Sequence, residues 1–134
     1  MKNFFLSALL IFIFGNLCHV GLPWWAIAPL AAIFVWLLPP KSMLGAFAAG
    51  FLAGMSLWWV NAYLLNLAND GIFAAKIGEI FQGRNSSTLL YATALMGGLL
   101  GGFGALTGYW AKDLTKKQDR QDYYSRRRRS GKYR

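Results

Sequence analysis

Four apolar runs, separated by short polar or proline-containing breaks, dominate the first 111 residues of the chain. The runs cover residues 4–20, 24–38, 43–67 and 88–110. Because a helix needs about 20 apolar residues to cross a bilayer, the last two runs are long enough and the first two are short. The pattern predicts an all-α integral membrane bundle of about four transmembrane helices, in which the first two form a tight hairpin.

The first run has a second interpretation. Lys2 followed by an apolar core also has the shape of a secretory signal peptide. The apolar stretch is long for such a core, however, and no pair of small residues at cleavage-site spacing follows it. Residues 15–18 (GNLC) also match a lipoprotein processing site poorly. We therefore expect a retained helix.

Proline and tryptophan mark the second run. The pair Pro39-Pro40 ends it, and Pro29 lies inside it. Because proline has no backbone N–H to donate, Pro29 predicts a kink. Trp24 and Trp36 lie near the two ends of the run, where interfacial anchors are usually found.

A short amphipathic segment follows the third run. Apolar side chains recur at helical spacing over residues 72–82, with Lys76 and Glu79 on the other face. This pattern predicts a short helix lying in the membrane interface. Asp70 is available as its N-cap and Gly83 as its C-terminal stop.

The C-terminal segment differs from the rest of the chain in composition and charge. Residues 112–134 hold ten basic and three acidic side chains, a net charge of +7. Residues 115–134 have no aliphatic side chain, so they cannot bury enough apolar surface to fold alone. The sequence predicts a transmembrane domain at 1–111 and a disordered basic tail at 112–134. Only the start of the tail is expected to extend the last helix, through an i,i+4 pair of Asp113 and Lys117.

The charges also predict an orientation. Cytoplasmic segments of membrane proteins carry an excess of Lys and Arg, so the tail should be cytoplasmic. Four spans then place Lys2 and Lys41 on that side, whereas the charges at residues 70–84 sum to zero on the other. We expect a multi-pass protein of the inner (plasma) membrane with both termini in the cytoplasm.

Glycines at small-xxx-small spacing predict where the helices pack. They lie in the third and last runs: Gly50, Gly54, Gly97, Gly98, Gly101, Gly102, Gly104 and Gly108. Small residues let helix backbones approach closely in lipid, where no hydrophobic drive brings helices together. The spacing is typical of contact between the third and last helices, and also of a homo-oligomer.

The runs hold few groups that can do chemistry. The two longest contain no Asp, Glu, Lys or Arg, the groups that coupled ion transport usually requires. Ser56, Asn61 and Asn66 are candidates for a polar pocket, although an asparagine there more often makes an interhelical hydrogen bond. No nucleophile with an adjacent base, paired carboxylates or phosphate-binding loop occurs, and a single Cys excludes an intrachain disulfide. The sequence predicts neither an enzyme nor a cofactor or metal site.

The tail has four interpretations. Basic residues beside a membrane attract anionic lipid headgroups by about 1 kcal/mol each. The tail would also suit a membrane protein partner, or RNA through arginine and tyrosine contacts, and it would equally serve as a topology anchor alone. Its cations are Lys112, Lys116, Lys117, Arg120, Arg126, Arg127, Arg128, Arg129, Lys132 and Arg134.

Residues 21–25 (GLPWW) and 95–108 resemble stretches of small multi-span bacterial membrane proteins that carry no assigned activity. This similarity over residues 1–111 implies a membrane location and no catalytic motif. Small multidrug transporters are similar in size, but the membrane-embedded glutamate they depend on has no counterpart in the first run. We interpret the chain as a structural or accessory subunit. The alternative is a homo-oligomeric channel or uncoupled transporter packed through its glycine-rich helices.

Overall fold

The computed structural model describes residues 2–18, 21, 23–80 and 85–131, and its regular elements over these ranges are all helical. They are α1 (Lys2–Cys18), a 3-10 turn (Trp24–Ala26), α2 (Ile27–Leu37), α3 (Met43–Ala68), α4 (Ile72–Ile80) and α5 (Ser86–Gly131). The all-α prediction is confirmed.

Two of the helices, α3 and α5, are long and apolar enough to cross a membrane. The 26 residues of α3 span roughly 39 Å, more than the ~30 Å of a bilayer's hydrocarbon core. The 17 residues of α1 span only about 25 Å, and α2 with its preceding turn is shorter still. The structure thus contains two candidate spans and two shorter apolar helices.

Pro29 lies near the start of α2. The α-helix begins at Ile27, so Pro29 lies in its first turn. Amides in the first turn of a helix have no intrahelical acceptor, so a proline there costs the helix little hydrogen bonding. The kink expected inside the second run stays a prediction, with Pro29 placed in the first turn of the α-helix.

The bundle has a small aliphatic core and a large apolar exterior. α5 packs along α3 and α2, and α1 packs on α3. The buried cluster comprises Ile11, Ile27, Ala31, Val35, Ala46, Ala53, Leu57 and Ala105. Larger side chains point outward: Leu44 is 78% exposed, Phe5 66% and Phe103 60%. Such a surface is unfavourable in water and is compatible with lipid.

One end of the bundle collects three lysines. The Asn3 side chain donates a hydrogen bond of 3.1 Å to the Pro39 carbonyl, joining the start of α1 to the connection between α2 and α3. Lys41 lies in that connection. Lys112 of α5 approaches the same end, its Nζ 4.8 Å from the ring centroid of Trp36. We call this end, formed by residues 2–5, 36–45 and 109–112, the lysine end.

The basic tail is helical where the structure describes it. α5 continues without a break to Gly131, so the predicted disorder beyond Thr115 is wrong for residues 115–131. Extending an existing helix avoids the cost of nucleation, and residues 109–130 contain neither Gly nor Pro to stop it. The expected pair forms, with Lys117 Nζ 2.8 Å from Asp113 Oδ2.

α4 begins at the predicted residue but is capped differently. Asp70 and Gly71 both have left-handed backbones, with φ of 50° and 72°. The Ala75 amide donates to the Gly71 carbonyl, which places Gly71 at the N-cap instead of Asp70. The proposed stop at Gly83, with residues 81 and 82, lies outside the described residues.

Glycine pairs bring the α3 and α5 backbones into direct contact. A methyl group built on Gly50 would strike the Gly101 carbonyl, and one built on Gly101 would strike the Gly50 carbonyl. Gly54 meets the backbone of Gly97 in the same way. These contacts exclude any side chain at the four positions.

The remaining predicted glycines of α5 also pack within the chain. Gly104 and Gly108 lie against the backbones of Ala28 and Ala32 in α2. Aromatic rings of α3 cover the other face: Trp58 at Gly97, Phe51 at Gly98 and Phe47 at Gly102. Each of the eight glycines therefore meets a neighbour in the same chain.

Replacing Gly101 should destabilise the bundle. We expect Gly101→Leu to lower the free energy of unfolding by about 2 kcal/mol or more, because the new side chain must push the α3 backbone away. Ala92→Leu is the control, since Ala92 is exposed on the same helix and should change stability by less than about 0.5 kcal/mol. Unfolding in mild detergent measures both. Equal stability of the two variants would contradict the packing.

Candidate functional site

The structure separates the three polar residues that the sequence suggested for one pocket. Ser56 is exposed on α3. Asn61 faces α1, whereas Asn66 lines a cavity near the C-terminal end of α3. No single polar path connects them among the described residues.

Asn61 makes an interhelical hydrogen bond. Its Nδ2 donates to Asn16 Oδ1 in α1 at 3.0 Å and to the Leu57 carbonyl at 2.8 Å. Asn16 Nδ2 in turn donates to the Phe12 carbonyl at 3.1 Å. The two amides thus join α1 to α3 with neutral groups, which agrees with the packing interpretation of Asn61. No pattern in the sequence around Asn16 identifies Asn61 as its partner.

A cavity of about 240 Å³ lies between α3, α4 and α5. Two of its polar side chains donate hydrogen bonds to nearby backbone carbonyls, Asn69 to Leu65 and Thr93 to Leu89. Asn66 Oδ1 is buried and accepts no hydrogen bond from the described residues. Leaving a buried acceptor unpaired costs about 1–3 kcal/mol, so this oxygen suits a donor from a small amphipathic molecule.

A larger groove of about 620 Å³ lies at the lysine end. Its lining residues come from the start of α1 and from the α2–α3 connection: Lys2, Asn3, Phe4, Phe5, Pro40, Lys41, Ser42 and Gly45. Sequence reasoning used the two lysines only as orientation signals and missed the groove. Their shared side of the membrane was the available clue, but contact between residues so far apart in sequence requires the fold.

The described tail cations lie along α5. Lys112 is partly buried beside Trp36, whereas Lys116, Lys117 and Arg120 are exposed. The hydrogen bond from Lys117 lowers the pKa of Asp113 below its usual value. The backbone of residues 126–129 is helical, and Lys132 and Arg134 lie outside the described residues.

The Asn16–Asn61 bond should show measurable coupling. In a double-mutant cycle with Asn16→Leu and Asn61→Leu, we expect a coupling energy of about 0.6 kcal/mol, typical of hydrogen bonds between helices in membranes. Unfolding in mild detergent gives the four stabilities. Asn69→Leu serves as control, because its side chain donates to the Leu65 carbonyl of the helix it ends and to no other described residue. Coupling of Asn16 to Asn69 as large as that to Asn61 would contradict the contact.

The arrangement combines helix-packing contacts with clustered positive charge. The described residues contain no group of three or more His, Cys, Asp or Glu side chains placed to hold a metal ion. Neutral amides occupy the interhelical contacts, and cations collect at one end of the bundle and along α5. The chain matches no protein-family model, no curated protein and no solved structure.

Proposed function

We propose that this protein is a small multi-pass membrane accessory subunit that anchors a rigid basic helix for an acidic protein partner. The observation that carries the proposal is the continuity of α5 from the bundle core to Gly131. An unbroken helix fixes the direction of the tail, which a disordered tail would not.

Helix length separates the tail cations into two groups. At 1.5 Å per residue, Lys112 lies within about 3 Å of the boundary marked by Trp110, whereas Arg126 lies about 24 Å beyond it. Electrostatic attraction to a surface falls off over about 8 Å at physiological ionic strength. The first cations therefore suit anionic lipid headgroups, and residues 126–129 suit a partner that approaches the end of the arm.

The proposed topology has four membrane-embedded helices with both termini in the cytoplasm. α1 and α2 are shorter than the hydrocarbon core, and local bilayer thinning can accommodate such helices. α1 also contributes to the core through Ile11 and packs at Gly15 against Leu57 of α3. This packing favours a retained helix over a cleaved signal peptide.

The channel alternative draws little support from the packing. It depended on glycine faces free to meet other copies, and these glycines contact the chain's own helices. It also required polar side chains along one path, and Ser56, Asn61 and Asn66 lie apart.

The orientation can be tested with single cysteines in a Cys18→Ser background. Ser87 and Gln121 are both exposed, near opposite ends of the membrane-embedded part of α5. In intact cells, we expect Ser87→Cys to react with an impermeant thiol reagent and Gln121→Cys to react only after lysis, because the basic tail stays inside. The reverse pattern would contradict the orientation.

The projection of the arm can be measured by energy transfer from a labelled residue to acceptors on the vesicle surface. In the Cys18→Ser background, Arg128→Cys should lie about 27 Å from the membrane boundary, and the reference Lys116→Cys about 9 Å. We expect the Arg128 distance to be similar in neutral and anionic vesicles. Collapse of that position onto anionic vesicles would instead support lipid as the target of the whole tail.

The partner can be tested by photo-crosslinking from position 121 in cells. We expect a defined protein adduct that is lost when residues 126–129 are changed to glutamine and kept when they are changed to lysine. The lysine variant keeps all four charges and so controls for the change of side chain. A nuclease-sensitive adduct would identify nucleic acid instead, and an adduct indifferent to both variants would contradict the proposed role of charge.

A further inference from the structure

Two cations from distant parts of the sequence line the groove at the lysine end. Lys2 belongs to the first turn of α1, and Lys41 to the connection before α3. Both side chains are exposed, and none of the described lining residues is acidic. The groove is therefore positively charged, because neither lysine is neutralised by a neighbour within it.

Local structure holds the two sides of the groove together. The hydrogen bond from Asn3 to the Pro39 carbonyl ties the start of α1 to the connection. Pro40 is buried, and the Ser42 hydroxyl accepts a 3.1 Å hydrogen bond from the Gly45 amide. The connection is thus fixed at both of its ends, which keeps Lys41 opposite Lys2 without a ligand and reduces the entropy that binding must overcome.

The lining is amphipathic. Phe4 and Phe5 stand beside Lys2, and Phe5 is 66% exposed. A free phosphate ion would use only the lysines, whereas a phospholipid would place its phosphate between the lysines and its glycerol and upper acyl carbons against the phenylalanines. A groove of about 620 Å³ has room for such a headgroup.

We infer that this groove is a binding site for the headgroup of an anionic phospholipid. The inference relies on the proposed membrane location but not on the basic arm, because no tail residue lines the groove in the described structure. The bound phosphate would pair with both lysines and join α1 to the connection before α3 at this end.

The full-length protein in neutral detergent provides the test. Native mass spectrometry would measure retention of phosphatidylglycerol against phosphatidylcholine in wild type and in the double variant Lys2→Gln/Lys41→Gln. We expect one preferentially retained phosphatidylglycerol in wild type and roughly 10- to 30-fold weaker retention in the double variant. Arg126→Gln/Arg127→Gln is the matched control, since it removes the same charge from the end of the arm, about 24 Å beyond the membrane boundary, and should retain the lipid.

A charge-neutral variant separates a shaped site from simple attraction. Asn3→Ala removes the bond to Pro39 and keeps both lysines, and we expect it to weaken retention several-fold while the protein stays folded by circular dichroism. Equal losses in the groove and arm double variants would overturn the site in favour of general charge attraction. Equal retention of the two lipids by wild type would also overturn it. The position of the arm is measured separately, so either proposal can fail without the other.

Discussion

The close approach of α3 and α5 determines the rest of the architecture. Their backbones meet at Gly50 with Gly101 and at Gly54 with Gly97, where a side chain on Gly50, Gly54 or Gly101 would collide with a carbonyl group. In a bilayer, helices gain little from hiding apolar surface, so packing at such short range must supply the association energy. The backbone of α2 packs in the same way against Gly104 and Gly108 of α5. Once these faces are occupied, the large apolar side chains are left on the outside, where lipid can cover them.

The sequence was most informative where one residue type has one physical meaning. Apolar runs gave helices close to their observed bounds, and the spacing of small residues identified the packing faces before any partner was known. Length was less informative, because a helix can continue past the end of an apolar run, as α5 does, and a neighbouring turn can shorten it. The second run shows this: a 3-10 turn takes Trp24–Ala26, and only 11 residues remain as α-helix.

The tail and the polar groups were harder to infer for different reasons. Composition predicts that residues 115–134 cannot fold alone, but it does not account for a preformed helix that supplies the nucleus. Hydrogen-bond partners such as Asn16 and Asn61 lie on separate helices, and no pattern within either helix specifies the other. The groove between Lys2 and Lys41 has the same origin, since it exists only after the hairpin of α1 and α2 has closed.

The continuity of α5 also has a mechanical consequence. The same helix packs within the bundle and forms the arm beyond it, with no hinge-forming Gly or Pro between residues 109 and 130. A force or torque applied to the arm is therefore transmitted along the helix backbone to the contacts of α5 with α3 and α2. Because glycines of α5 lie directly against carbonyl groups and aromatic rings of the neighbouring helices, even a small displacement of α5 changes this packing.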